Sequence, residues 1–126
     1  MGLNQIRSTG GKLVNSGRTS NVNTTDATPT IIDTLTLGAN SGGVVQYTAK
    51  GVAANGDTIT ISQIVRFKKA AGTLTLGTPA DILASVVDAG LSGGSIAISA
   101  ASNNINVTVT GKAAVNVSWK CNIIVL

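Results

Sequence analysis

The sequence predicts an all-β fold, an antiparallel β-sandwich or jelly-roll-like module led by an extended N-terminal arm. Three observations carry this. Thr, Val and Ile supply 41 of the 126 residues, and β-branched side chains suit pleated, half-buried strands better than helices. Apolar and polar residues alternate with a period of two in several segments, most clearly near the C-terminus. Turn sequences punctuate the chain at Asn40-Ser41-Gly42-Gly43, Asn55-Gly56, Ser92-Gly93-Gly94, Ser102-Asn103-Asn104 and Thr110-Gly111-Lys112, at the spacing of a many-stranded β domain.

Residues 1–29 form the predicted arm. They contain Gly10-Gly11, Ser16-Gly17 and a polar run over 20–26, with Ile6, Leu13, Val14 and Val22 as isolated apolar anchors. Together with Arg7 and Arg18, these are the candidate residues for attachment to a neighbouring subunit or a larger scaffold; the alternative is a disordered tail. The β domain is predicted over 30–126, with strands at 30–37, 44–52, 57–68, 72–76, 82–87, 95–100, 105–110 and 114–125. In the last of these, Val115, Val117, Trp119, Cys121, Ile123 and Val125 share one face and Asn116, Ser118, Lys120 and Asn122 the other. The apolar set belongs in the core, and a strand so long belongs in the middle of a sheet or along a barrel. The 57–68 strand is less regular, because Gln63 interrupts its apolar face and Ile64 its polar one. A β-bulge accounts for both; the alternative is that Ile64 is an exposed partner contact. Residues 81–89 place Ile82, Val86 and Ala89 at helical spacing, but their β-branched content favours a strand.

Composition narrows the function. Charged residues are only 11% of the chain and aromatic residues 2%. A surface built from Thr, Ser, Asn and Gly follows, with three aromatic rings, too few for a nucleic-acid stacking platform. The net charge is +4, yet the cations are scattered apart from Arg66-Phe67-Lys68-Lys69, so direct nucleic-acid binding is not expected. There is no histidine, which excludes a Ser-His-Asp triad and makes a structural zinc centre improbable. The acids are Asp26, Asp33, Asp57, Asp81 and Asp88. Each sits beside turn or strand-start residues, with no spacing that marks a catalytic pair or a calcium loop. The glycine-rich segments lack the Gly-Lys-Ser/Thr element of a phosphate loop. No catalytic residue, metal site or cofactor is therefore expected. Cys121 is alone, in phase with core residues, and reads as a buried thiol; the absence of an intrachain disulfide fits synthesis in a reducing cytosol. Residues 1–17 lack the apolar core of a signal peptide, and no run has the length of a membrane-spanning helix, so membrane insertion is not expected. A β-rich chain with so little charge must protect its sheet edges, through Lys50, Arg66 and Lys120 or through a closed homo-oligomer. Tyr47, Ile64 and Arg66 are the candidate interface residues.

The stretch Thr24-Thr25-Asp26-Ala27-Thr28-Pro29-Thr30, with Val45-Gln46-Tyr47-Thr48-Ala49-Lys50, Arg66-Phe67-Lys68, the run from Asn103 to Gly111 and Val117-Ser118-Trp119-Lys120, resembles small Thr-rich β modules of bacteriophage virion proteins. These are head-fibre, head-decoration or tail-associated parts. The resemblance spans roughly residues 24–125. It implies a virion structural protein, made in the host cytoplasm, that assembles as a homotrimer and attaches to a capsid, tail or fibre partner through its arm. A length of 126 residues points to a head or tail accessory protein rather than a long receptor-binding fibre. No catalytic residues transfer. The alternative is a carbohydrate-binding or host-adhesion module, which would present Tyr47, Trp119 or a polar Asn/Asp groove to a glycan.

Overall fold

A computed structural model describes residues 5–7, 13–15 and 17–126, with side chains from Gly17 onward. In chain order its strands are β1 (Gln5–Arg7), β2 (Leu13–Asn15), β3 (Arg18–Thr24), β4 (Thr30–Thr36), β5 (Ser41–Ala53), β6 (Thr58–Ala70), β7 (Thr73–Leu76), β8 (Ala80–Val87), β9 (Ser95–Ala101), β10 (Asn104–Thr110) and β11 (Val117–Val125). Among the described residues the one helical element is a 3₁₀ turn at Ala89–Leu91, and no helix is long and apolar enough to cross a membrane. The predicted strand at 82–87 is confirmed as β8, and the helical reading of 81–89 falls away.

The domain is all-β and built from two antiparallel sheets. The larger has the order β3-β11-β5-β6, with β7 and β8 both pairing the far side of β6; the smaller has the order β4-β10-β9. β1 and β2 pair separately as a two-stranded ribbon. Ile105, Val107 and Val109 of β10 and Ile32 and Leu35 of β4 join Val45, Tyr47, Val65, Trp119 and Ile123 of the larger sheet in one hydrophobic cluster. β11 lies between β3 and β5, in the middle of its sheet as its length requires, and its burial alternates through Val117, Trp119, Cys121 and Ile123.

Several boundaries differ from the sequence expectation for visible reasons. β3 lies inside the expected arm, yet it pairs with β11 from Val117↔Thr24 to Ile123↔Arg18 as an edge strand of the larger sheet. Polarity hid it, because an edge strand needs only one covered face. β5 begins at Ser41, so Gly42 and Gly43 are strand residues opposite Lys68 and Phe67. Leu126 secures this end by exchanging backbone bonds with Val44 at 2.8 and 3.1 Å. β11 begins at Val117 because the chain still reverses before it, with Ala114 at φ 60° and Val115 N–H bonded to Lys112 C=O. The bulge expected in β6 is absent from its ladder with β5, which runs unbroken from Ser41↔Lys69 to Val52↔Thr58. Register shifts occur instead where β8 meets β6, on either side of Ser62.

A further bulge lies in β4, where Val107↔Asp33 is followed by Thr108↔Ile31. The extra residue lets neighbours Ile32 and Asp33 both be buried, which strict alternation forbids. Ile32 joins the core. Asp33 reaches β3, accepting from Arg18 Nε at 3.2 Å and from Arg18 Nη2, and from Ser20 Oγ at 3.0 Å. Arg18 also donates to Thr34 C=O at 3.0 Å. This ion pair links an edge of the larger sheet to an edge of the smaller one, and it is the one ion pair among the described residues.

The β6–β7 hairpin turns through Ala71 and Gly72, at φ 52° and 79°, between the paired residues Ala70 and Thr73. Positive φ at both central residues is the two-residue geometry that follows strand twist and favours Asn-Gly. Glycine adopts it freely, while alanine pays a steric cost of roughly 1–2 kcal/mol. Ala71→Asn is therefore expected to stabilise the protein by about 0.5–1 kcal/mol, read as a higher urea midpoint at unchanged slope.

Candidate assembly surface

β8 is the least covered element of the domain. All eight of its residues are exposed, including Ile82 (46%), Leu83 (69%), Val86 (51%) and Val87 (45%). One backbone edge is satisfied by β6, over Ile59↔Val87 to Ile64↔Ala80; among the described residues no strand pairs the other. Natural edges are blunted by lysine, proline or covering segments. β8 contains no lysine, and its one charge, Asp81, already accepts from Gln63 Nε2 at 2.7 Å. Lys50 and Lys120, expected to guard edges, lie on the interior strands β5 and β11, and Arg66 on β6.

The candidate interface residues divide. Ile64 is 36% exposed and stands beside Ala80 of β8 on the outer face of the larger sheet. Arg66 follows two residues later on that face, exposed. Tyr47 is a correction: at 1% exposure it is a core residue and cannot present its ring to a partner. Its hydroxyl donates to Gln63 Oε1, and Gln63 in turn holds Asp81. The apparent fault in the β6 pattern is thus a polar residue placed on the core face, where it satisfies a buried phenol and ties β8 to the sheet. Burial, with Cys121 and Asp81 nearby, pushes the Tyr47 phenol up to about 12.

Of the candidate arm residues, Arg18 is engaged by Asp33, and Val22 packs against the core. Both serve the domain itself. Ile6 and Arg7 lie in β1 and Leu13 and Val14 in β2, in the register Ile6↔Val14 and Arg7↔Leu13; their side chains fall outside the described residues.

Phe67 and Trp119 are buried like Tyr47, at 6% and 2%, so no aromatic ring is offered to a sugar. Trp119 Nε1 donates to Thr24 Oγ1 at 2.8 Å within the core. The acids have local tasks. Asp26 accepts from Thr28 N–H at 2.9 Å, capping the turn it sits beside, and that bond holds its carboxyl below the usual range. Asp57 accepts from Asn55 Nδ2 at 3.3 Å, and Asp88 accepts from Thr58 N–H and Oγ1 at 2.9 and 3.2 Å. Among the described residues, no group of three or more His, Cys, Asp or Glu could hold a metal ion.

Exposed apolar strands signal association, and the sequence signal for this one was present. The run Ala80–Val87 places large apolar residues on both alternations, Ile82 and Val86 on one and Leu83 and Val87 on the other, close to the pattern of a strand covered from two sides. Compared with known proteins, the chain matches no family model, no curated protein and no solved structure.

Proposed function

We propose that this chain is a structural accessory module of a bacteriophage virion that self-associates through β8. On this reading its two sheets act as a β-sandwich, and its N-terminal segment attaches it to a capsid, tail or fibre protein. The observation that carries self-association is the bare apolar edge of β8. The virion assignment draws on the resemblance of the Thr/Asn-rich segments. Three copies are favoured over two for a physical reason. Edge-to-edge pairing about a twofold axis would satisfy the backbone of β8 but leave both of its faces open, whereas packing about a threefold axis can also cover the face that carries Val87, beside Ile59.

The test is solution mass by light scattering over a concentration series. The expected result is a stable species of three times the 12.6 kDa chain mass, converted to single chains by Ile82→Lys with Val87→Lys, both exposed on β8. A wild-type protein that stays a single chain at every concentration would sink the proposal. Attachment is tested by deleting residues 1–16. A longer deletion would remove β3 and Thr24, the partner of Trp119, and so confuse attachment with folding. The shortened protein is expected to keep its oligomeric mass and to lose incorporation into particles.

A further inference from the structure

The outer face of the larger sheet carries a feature that self-association does not use. Two rows of side chains cross five strands there, in unbroken register from β3 to β6 and with a register shift where they step onto β8. One row runs Asn21, Lys120, Lys50, Thr60, Val86; the next runs Thr19, Asn122, Thr48, Ser62, Leu83. Apart from Asn21 at the rim, these side chains line an open groove of about 590 Å³, within the range of ligand-binding clefts. Five strands at the usual spacing make it about 19 Å long, the reach of about six residues of extended chain.

The floor of the groove is electrostatically one-sided. Lys50 and Lys120 stand directly opposite each other on neighbouring strands, a like-charge pairing that destabilises a sheet. Neither is in the ion pair of the described residues, and neither row contains an acid. Asp88, just past β8, is occupied by Thr58. Arg66 and Lys68 extend the positive charge along β6 on the same face, both exposed. Beside the lysines the second row offers hydroxyls and an amide, with Thr48 and Ser62 bonded at 2.9 Å and Asn122 donating to Thr19 at 3.2 Å. At the β8 end the groove becomes apolar, with Leu83 and Val86 exposed.

We propose that this groove binds an extended acidic segment of a partner protein. An aliphatic side chain of that segment lies against Leu83 and Val86, and carboxylates two and four residues further on meet Lys50 and Lys120. Same-face residues of an extended chain fall about 6.6 Å apart, so the second and fourth positions reach toward β5 and β11. The arm of this chain does not fit the charge, because its ionisable residues up to Gly17 are Arg7 and Lys12. An acidic peptide is favoured over nucleic acid because the groove has an apolar end and no exposed ring for base stacking.

The proposal is tested on the full chain with a labelled, amidated peptide carrying leucine, then glutamate two and four residues later, with serines between, followed by fluorescence anisotropy. Binding is expected, weakening with added salt and at least tenfold weaker in the Lys50→Gln/Lys120→Gln double variant. Lys50→Arg/Lys120→Arg should retain it. The glutamine variant should melt no lower than wild type, since it removes a repulsion, and should keep the wild-type solution mass, which separates this site from the β8 edge. Absence of peptide binding, binding indifferent to the glutamine variant, or binding of an oligothymidylate but not the peptide would each overturn it.

Discussion

Replacing Trp119 with alanine is expected to cost about 3–5 kcal/mol, a large part of the stability of a domain this size. The indole is 2% exposed, and its loss opens a cavity and leaves Thr24 Oγ1 without its 2.8 Å donor. The space it fills is provided by Gly51, its direct partner across β5 and β11. A Cβ at Gly51 would lie 2.7 Å from ring atoms Cε3 and Cζ3 and 2.9 Å from Val117 Cγ1. These atoms sit in packed side chains that cannot swing away, so Gly51→Ala should itself cost about 2–3 kcal/mol by overpacking. The two effects are coupled. Once the indole has gone, the added methyl meets no ring, so the double variant should be more stable than the sum of the single costs by about 1–2 kcal/mol. Urea unfolding of the four proteins measures this; strict additivity would show that Gly51 and Trp119 are not in contact.

The second large effect is alkaline unfolding. Cys121 is fully buried, and burial, with Asp33 adding to it and Arg18 opposing, raises its thiol from 9.0 to about 12. Tyr47 is raised from 10.0 to about 12 mainly by burial. In the unfolded chain both groups release their protons at the lower values, so between those values and about pH 12 the unfolded state binds fewer protons than the folded one. Stability must then fall as pH rises. The contribution is fully present below about pH 9, declines through the interval and is lost by about pH 12. Three pH units for the thiol correspond to about 4 kcal/mol, and the phenol acts in the same direction. Urea midpoints between pH 8 and 11 should fall steeply, and Cys121→Ala should flatten the part of the fall between pH 9 and 10. At pH 8 the native thiol should react with a disulfide reagent only as fast as the protein opens, since the thiolate is the reactive form. Rapid labelling of the folded protein would contradict its burial.

What was legible in the sequence was local. Composition and period two gave the all-β class and the eight strand segments after residue 30. They also placed Val117, Trp119, Cys121 and Ile123 on one buried face, because alternation along a strand says which residues travel together. What alternation cannot say is which strands become neighbours and what each face meets. Those pairings join residues far apart in the chain, and only tertiary structure decided them. It drew polar β3 into the sheet through β11 and Asp33, and turned Gln63 inward to meet Tyr47. It set Lys50 against Lys120 across two strands whose own sequences show a single lysine on that row. Among the described residues it also left β8 uncovered, although an apolar run of that kind reads equally well as a strand buried on both sides. Sequence reports the chemistry of a face, and long-range pairing determines whether that face is core, groove or open edge.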